Sequence, residues 1–236
     1  MLLWLISLVL ASELALQTGS EFRQEFRYRG KMIPGKVLEI EGLNGDVVAG
    51  PSGSGEVEVV AEKRSDGGYG EVRLSVVDHA RGTTVKAVFP ELSDAQVRFL
   101  VRVPTGVDFV GKTTNGHVAA RNLQGRVEAR TINGNIEVRT TGEAVATTVN
   151  GSIRASIGAG AQLETVNGNV TLMVADGVGG NVDVEAWNGE VTTGIPYTSL
   201  HRDTHFHWSG HIRGGGSRFR LRTINGEVFL EKEQRY

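Results

Sequence analysis

Four of the chain's six histidines fall within one short run, His201-Arg202-Asp203-Thr204-His205-Phe206-His207-Trp208-Ser209-Gly210-His211. On a strand, side chains alternate between faces, so His205 and His207 would project together. Completed by His211 or Asp203, they would form the kind of imidazole-rich set that holds Zn²⁺ or Cu²⁺. Two plainer readings stand beside it: a polar strand or protruding loop with exposed imidazoles, or a surface that responds to pH. Just beyond, Arg218, Arg220 and Arg222 alternate with Phe219 and Leu221. That basic stripe could meet acidic glycans or lipid headgroups. It is also what a solvated strand face looks like, with Glu227 and Glu231 as candidate partners.

Signatures of catalysis are missing. The chain has no G-x-S-x-G, no H-E-x-x-H and no P-loop, since the glycine-rich run from Gly50 to Gly55 lacks the lysine. Some β-helices are polysaccharide lyases, which usually gather Asp, Lys and Arg on one face; the repeating positions here hold Asn, Thr, Ser and scattered Glu and Arg instead. The reading is therefore a non-enzyme with no cofactor, and a polysaccharide-active enzyme is the least favoured option. Cysteine is absent, which removes disulfides, thiolate metal sites, cysteine nucleophiles and a lipid-modified N-terminal cysteine. A formal charge of −2 with no clustered basic excess argues against nucleic acid.

The elements that must position these groups announce themselves by repetition. Asn-Gly recurs between apolar residues at Asn44-Gly45, Asn115-Gly116, Asn133-Gly134, Asn150-Gly151, Asn167-Gly168, Asn188-Gly189 and Asn225-Gly226. From Asn115 the steps are 18, 17, 17, 21 and 37 residues, and Asn44 lies 71 residues before Asn115. Reading 37 as two steps and 71 as four gives a period near 18, the mark of a repeat architecture. Each period carries two short alternating pieces. Val127, Ala129 and Thr131 face one way and Glu128 and Arg130 the other; after the bend, Ile136 and Val138 face inward and Glu137 and Arg139 outward. Apolar residues make up 39% and aromatics only 6%, while Gly numbers 32 of 236, so the core must be aliphatic and narrow, with many forced turns.

Two all-β folds fit. A single-stranded parallel β-solenoid (β-helix) with about 17–18 residues per coil explains the period, because each coil turns the same corner above the last. In that reading Asn takes a left-handed backbone and stacks its amide, while Gly relieves steric conflict. About ten coils from Asn44 to Asn225 would make a rod on the order of 50 Å. The alternative is an antiparallel meander, in which Asn133-Gly134 is a hairpin turn pairing Arg130 with Glu137 and Glu128 with Arg139.

The N-terminal eleven residues form an apolar run that fades into Gln17-Thr18-Gly19-Ser20. It is shorter than the roughly 20 residues of a bilayer span and reads as a secretory signal peptide over 1–20, cut somewhere between 11 and 20, with Val9 and Ala11 suiting the small-residue rule. No Lys or Arg precedes it, so an apolar strand or an uncleaved anchor stays open. The remaining organisation reads as a linker over 21–35, irregular coils over 36–104 and regular Asn-Gly coils over 105–232, with no transmembrane span after the leader.

The opening Leu43-Asn44-Gly45-Asp46-Val47, the repeated Thr-x-Asn-Gly-x-Ile/Val units and the closing Thr223-Ile224-Asn225-Gly226-Glu227-Val228 together resemble the bacterial putative-adhesin family of β-strand-repeat domains, of the head-GIN adhesin-like type. The resemblance spans about residues 25 to 232. It implies an extracytoplasmic β-helix-like domain in the periplasm, at the cell surface or secreted, with surface or envelope-stress roles and no catalytic residues. Candidate partners are an envelope glycan, a lipid or another surface protein.

Overall fold

The computed structural model describes residues 15–18, 21–65, 72–90, 95–196 and 198–233. Most of the expected leader, residues 1–14 and 19–20, lies outside them. The chain is all β. Its strands are β1 (Ala15–Thr18), β2 (Glu21–Lys31), β3 (Val37–Glu41), β4 (Val47–Pro51), β5 (Glu56–Ser65), β6 (Arg73–His79), β7 (Gly82–Val88) and β8 (Gln96–Val103). Then follow β9 (Asp108–Lys112), β10 (Val118–Leu123), β11 (Val127–Arg130), β12 (Ile136–Thr140), β13 (Ala144–Thr147), β14 (Ile153–Ile157), β15 (Ala161–Asn167) and β16 (Val170–Val174). The last are β17 (Gly180–Asn188), β18 (Val191–Thr193), β19 (Thr198–Arg202), β20 (His207–Ile212), β21 (Ser217–Asn225) and β22 (Val228–Lys232).

These form two 11-stranded sheets. Sheet A runs β1-β2-β5-β8-β4-β10-β12-β14-β16-β22-β18, and sheet B runs β19-β20-β17-β21-β15-β13-β11-β9-β3-β7-β6. The centres are parallel, from β8 to β18 in sheet A and from β17 to β7 in sheet B; antiparallel strands close both ends of sheet B and the β5 end of sheet A, while β18 is a parallel edge. Through the middle, successive strands alternate between sheets, so β11 pairs with β9 and β13 while β12 pairs with β10 and β14. The strands flanking Asn133-Gly134 thus lie in different sheets. Arg130 pairs with Lys112 and Thr147, and Glu137 with Ala119 and Arg154, rather than with each other.

One continuous core fills the space between the sheets, and it is built as the alternation predicts. Val127, Ala129, Ile136, Val138, Ala144, Ala146, Ile153 and Ala155 are all buried. Strands buried this way on the inner face and paired on both edges gain apolar burial, at about 25 cal/mol per Å², and satisfied backbone together. Phe99, Phe109 and Phe219 supply the few large side chains.

Three expectations change. Residues 21–35, read as a linker, hold the 11-residue β2, which pairs antiparallel with β5 and buries Tyr28; its Arg- and Glu-rich outer face hid the alternation. Asn44 stacks directly on Asn115 with no coil between them, because residues 52–107 build β5 to β8 on the far side of β3 and β4. Asn225 stacks between Asn167 and Asn188, because β21 and β22 insert between β15/β16 and β17/β18. The Asn-Gly corners therefore make seven rungs, not ten, and the sheets reach roughly 48 Å only by adding antiparallel strands at the ends.

Candidate functional site

The corner that joins sheet B to sheet A is the most ordered feature of the surface. In space its asparagines run Asn44, Asn115, Asn133, Asn150, Asn167, Asn225, Asn188. From Asn115 onward each Nδ2 donates to the Oδ1 of the asparagine before it in that order, at 2.7–2.8 Å, giving six amide bonds in line. The expected amide ladder is present. The left-handed backbone is not: among the described residues the non-glycine positions with positive φ are Asn122 and Arg213, neither of them a corner asparagine.

Glycine relieves a steric conflict, as expected, and the neighbouring rung is its source. A Cβ on Gly134 would lie 2.0 Å from the Gly116 carbonyl oxygen, and one on Gly151 2.0 Å from that of Gly134. Each backbone passes so close under the next that no side chain fits between them. Gly45, with φ of 125°, adds a conformation that other residues resist.

Two further columns complete the corner. Two residues before Asn, the buried Thr113, Thr131, Thr148, Thr165 and Thr223 each donate Oγ1 to the corner-glycine carbonyl of the next rung at 2.8–3.0 Å. Their role was legible only as a Thr in the repeat unit; the copies at Gly42 and Ala186 break it. Two residues after Asn, the side chains of Asp46, His117, Asn135, Ser152 and Asn169 accept the backbone N–H of the next rung at 2.8–3.1 Å. These positions vary freely in residue type because any acceptor of the right length serves.

Between the Thr and Asn columns stands a third, and it faces solvent. Leu43, Ile132, Val149, Ile224 and Trp187 are all exposed. Thr114 and Val166 occupy the intervening rungs, half-buried. Phe206 extends the line past Trp187, their rings stacked at 4.1 Å and 8°.

The outer face of sheet A carries shallow grooves. One of about 940 Å³ is lined by Glu137, Arg139, Arg154, Met173, Glu231 and Glu233; a second of about 800 Å³ shares Glu137, Arg154 and Glu231 and extends to His117 and Phe229. They exist because the outward residues Ala119, Ser156 and Thr171 are short and buried among longer neighbours. Arg121 binds Glu137 at 2.7 Å, and the Ser156 hydroxyl donates to Glu233. The hydrogen bond and charge of Arg121 hold the Glu137 carboxyl below its ordinary value, and Lys112 does the same for Glu39. A general acid would need the opposite shift.

The histidine segment forms the β19–β20 hairpin, which extends sheet B beyond β17. Its inner face, with Trp208 and Ile212 buried and Leu200 packed against them, closes the end of the core, and the Arg202 guanidinium lies 4.9 Å from the Trp208 ring centroid. His205 sits in the bend before β20, so it does not share a strand face with His207. His207 and His211 lie four residues apart on β20, about 13 Å along a strand. Among the described residues no three His, Asp or Glu converge closely enough to hold a metal ion. The expected set of His205, His207 and His211 is thus not assembled; His207 lies instead between Asp203, at 3.1 Å, and Asp183, at 3.5 Å.

Arg218, Arg220 and Arg222 do point outward from β21, but not as a basic patch. Glu164 flanks Arg222 on one side and Glu185 on the other, and Asp183 stands beside Arg220. Arg222 binds Glu185 at 2.8 Å. Glu227 and Glu231, the partners suggested by spacing, face away on the corner and on sheet A.

No protein-family model matches the chain, and no curated protein matches it. Among solved structures the chain is similar to a putative cell adhesion protein from Clostridium sporogenes, at 8% identity and a TM-score of 0.50, over 89% of this chain and 100% of that one. It is also similar to a putative adhesin from Bacteroides fragilis, at 10% identity over 89% and 97% of the chains, with a TM-score of 0.37. The first likeness establishes a shared fold. No helix among the described residues is long and apolar enough to cross a membrane.

Proposed function

We propose that this chain is an exported, non-catalytic, adhesin-like interaction scaffold, its middle a two-sided parallel β-solenoid that displays long, regular surfaces outside the cytoplasm. The observation that carries the reading is the seven-rung corner. Six amide bonds, the threonine column and close-packed glycines lock a surface of constant chemistry over the length of the parallel stack. Such a surface suits recognition by repetition and supplies no converging acid, base or nucleophile. The shared fold with a protein described as a putative cell adhesion protein supports the same role, and the apolar leader supports export.

The test has two arms. Residues 1–20 fused to a reporter active only outside the cytoplasm should yield activity in a bacterial host, and no activity would refute export. The domain beginning at Ala15 should adhere to intact bacterial or host cells above an unrelated all-β control. Adherence no greater than the control would refute the interaction role.

A further inference from the structure

We propose that the solvent-facing edge of the corner is a binding track for an unbranched, uncharged polysaccharide, laid along the apolar column from Leu43 to Phe206; this deepens, and rests on, the reading of the chain as an interaction scaffold. Scattered exposed apolar side chains need no explanation, but a contiguous file of them does. Leu43, Ile132, Val149, Ile224 and Trp187 are exposed by 38 to 56% and stand in one line, broken only by half-buried Thr114 after Leu43 and half-buried Val166 after Val149. Backbone bonds from Asn115 to Leu43, Asn133 to Thr114, Asn150 to Ile132 and Asn167 to Val149, all at 2.8 Å, fix neighbouring rungs in that line.

Beside it run the ladder amides. Each interior asparagine spends one N–H and one lone pair on the ladder and keeps one of each, aimed alike at every rung. The edge therefore offers an apolar strip bordered by neutral donors and acceptors, repeated about every 4.8 Å. A chain of sugar rings has that composition, with C–H faces and hydroxyl edges, and a repeat comparable to the rung.

Other occupants fit less well. An extended peptide presents same-face side chains about every 6.8 Å and falls out of step. Acidic polymers and anionic lipids would need cations. Yet the flanking row after the ladder (Asp46, His117, Asn135, Ser152, Asn169, Glu227) has neither Lys nor Arg. On the other flank Lys112, Arg130 and Arg222 are held by Glu39, Glu128 and Glu185. A second copy of this chain shares the period, but a strip one side chain wide exposes on the order of 400 Å², short of the roughly 800 Å² per partner of a stable interface.

Native electrophoresis of the domain from Ala15 through gels containing glycol chitin, hydroxyethyl cellulose or linear mannan should show retardation by at least one. Oligomers of that polymer should bind more tightly with length up to about seven rings, the span of the track, and then level off. Ile132→Glu combined with Ile224→Glu should weaken binding at least tenfold with an unchanged unfolding midpoint, while Glu137→Ala on the sheet A face should bind as the parent does. The track is overturned if none of the three polymers retards the protein. It is equally overturned if the double variant binds normally, if only dextran sulfate or phosphatidylglycerol vesicles bind, or if the parent forms a dimer that the double variant disrupts. If the double variant adheres to cells as well as the parent, the track fails while the interaction role stands; if the parent adheres to none, the role itself fails.

Discussion

At Gly134 the backbone runs so close beneath Gly116 that even a methyl group would sit 2.0 Å from a carbonyl oxygen. Gly134→Ala should therefore cost about 3 kcal/mol or more, since the clash is with backbone and cannot be relieved by a rotamer change. Asn133→Ala removes two ladder bonds at a solvated site, for about 1–2 kcal/mol. Glu137→Ala breaks one exposed ion pair and should cost under about 1 kcal/mol. Urea melts of the three variants should rank in that order; a Gly134→Ala midpoint equal to that of Glu137→Ala would refute the close-packing account. His117 gives a second residue-level test. Its Nδ1 accepts the Asn135 N–H at 2.9 Å, so His117→Asn, which keeps an acceptor as Asn135 itself does toward Ser152, should be nearly neutral. His117→Leu should lose about 1 kcal/mol. Equal stabilities for the two would show that the column of acceptors is incidental.

The strands that matter most are β21 and β22, because they stand inside the stack although they come last in the chain. β21 pairs with β15 on one edge and β17 on the other, and β22 with β16 and β18. A chain ending at Gly216 would leave β17, β18 and the β19–β20 hairpin with no strand joining them to β15 and β16. We expect residues 176–212 to become protease-sensitive in that truncation while the β9–β16 region keeps its protection in hydrogen exchange. Retained protection across β17 and β20 would mean that β17 can pair directly with β15. The hairpin's histidines belong to this level as well: they decorate a cap whose purpose is to cover the open end of the core with Trp208 and Ile212.

For the molecule as a whole, acid should act through depressed carboxylates. Lys112 donates to Glu39, linking β9 to β3, and lowers its pKa from the ordinary 4.5; Arg121 does likewise for Glu137. A carboxylate that binds its proton less readily when folded stabilises the fold fully above the unfolded pKa. That contribution drains away as the pH falls from about 4.5 through the lower folded value. Thermal melts should therefore hold steady near neutrality and decline below about pH 4.5, and Glu39→Gln should show a shallower decline. An identical acid limb in Glu39→Gln would exclude this pair as a contributor. The same long-range parallel pairing, with a final strand pair that must slip between two others, gives high contact order, so refolding on the scale of seconds or slower is expected.

What the residues alone determined is the character of a rung. Alternation in Val127–Thr131 and Ile136–Val138 marked which side chains enter the core, and Asn-Gly marked each corner, because both follow from chemistry within a few residues. Even there the source of the crowding that glycine relieves is not local: a neighbouring backbone passes about 2 Å from its Cβ position, and only stacking creates that constraint. The order of the rungs belongs to the tertiary structure. Every Asn-Gly corner offers the same amide, the same carbonyl and the same edge, so any rung can bond to any other, and the 37-residue step from Asn188 to Asn225 reads as two coils. Which rung lies on which is settled by the whole core: β5 to β8 must seal one end and the β19–β20 hairpin the other, which leaves β21 and β22 their place between Asn167 and Asn188. The apolar file on the outside is a product of that order too, since side chains far apart in the chain become one line only when their strands are stacked.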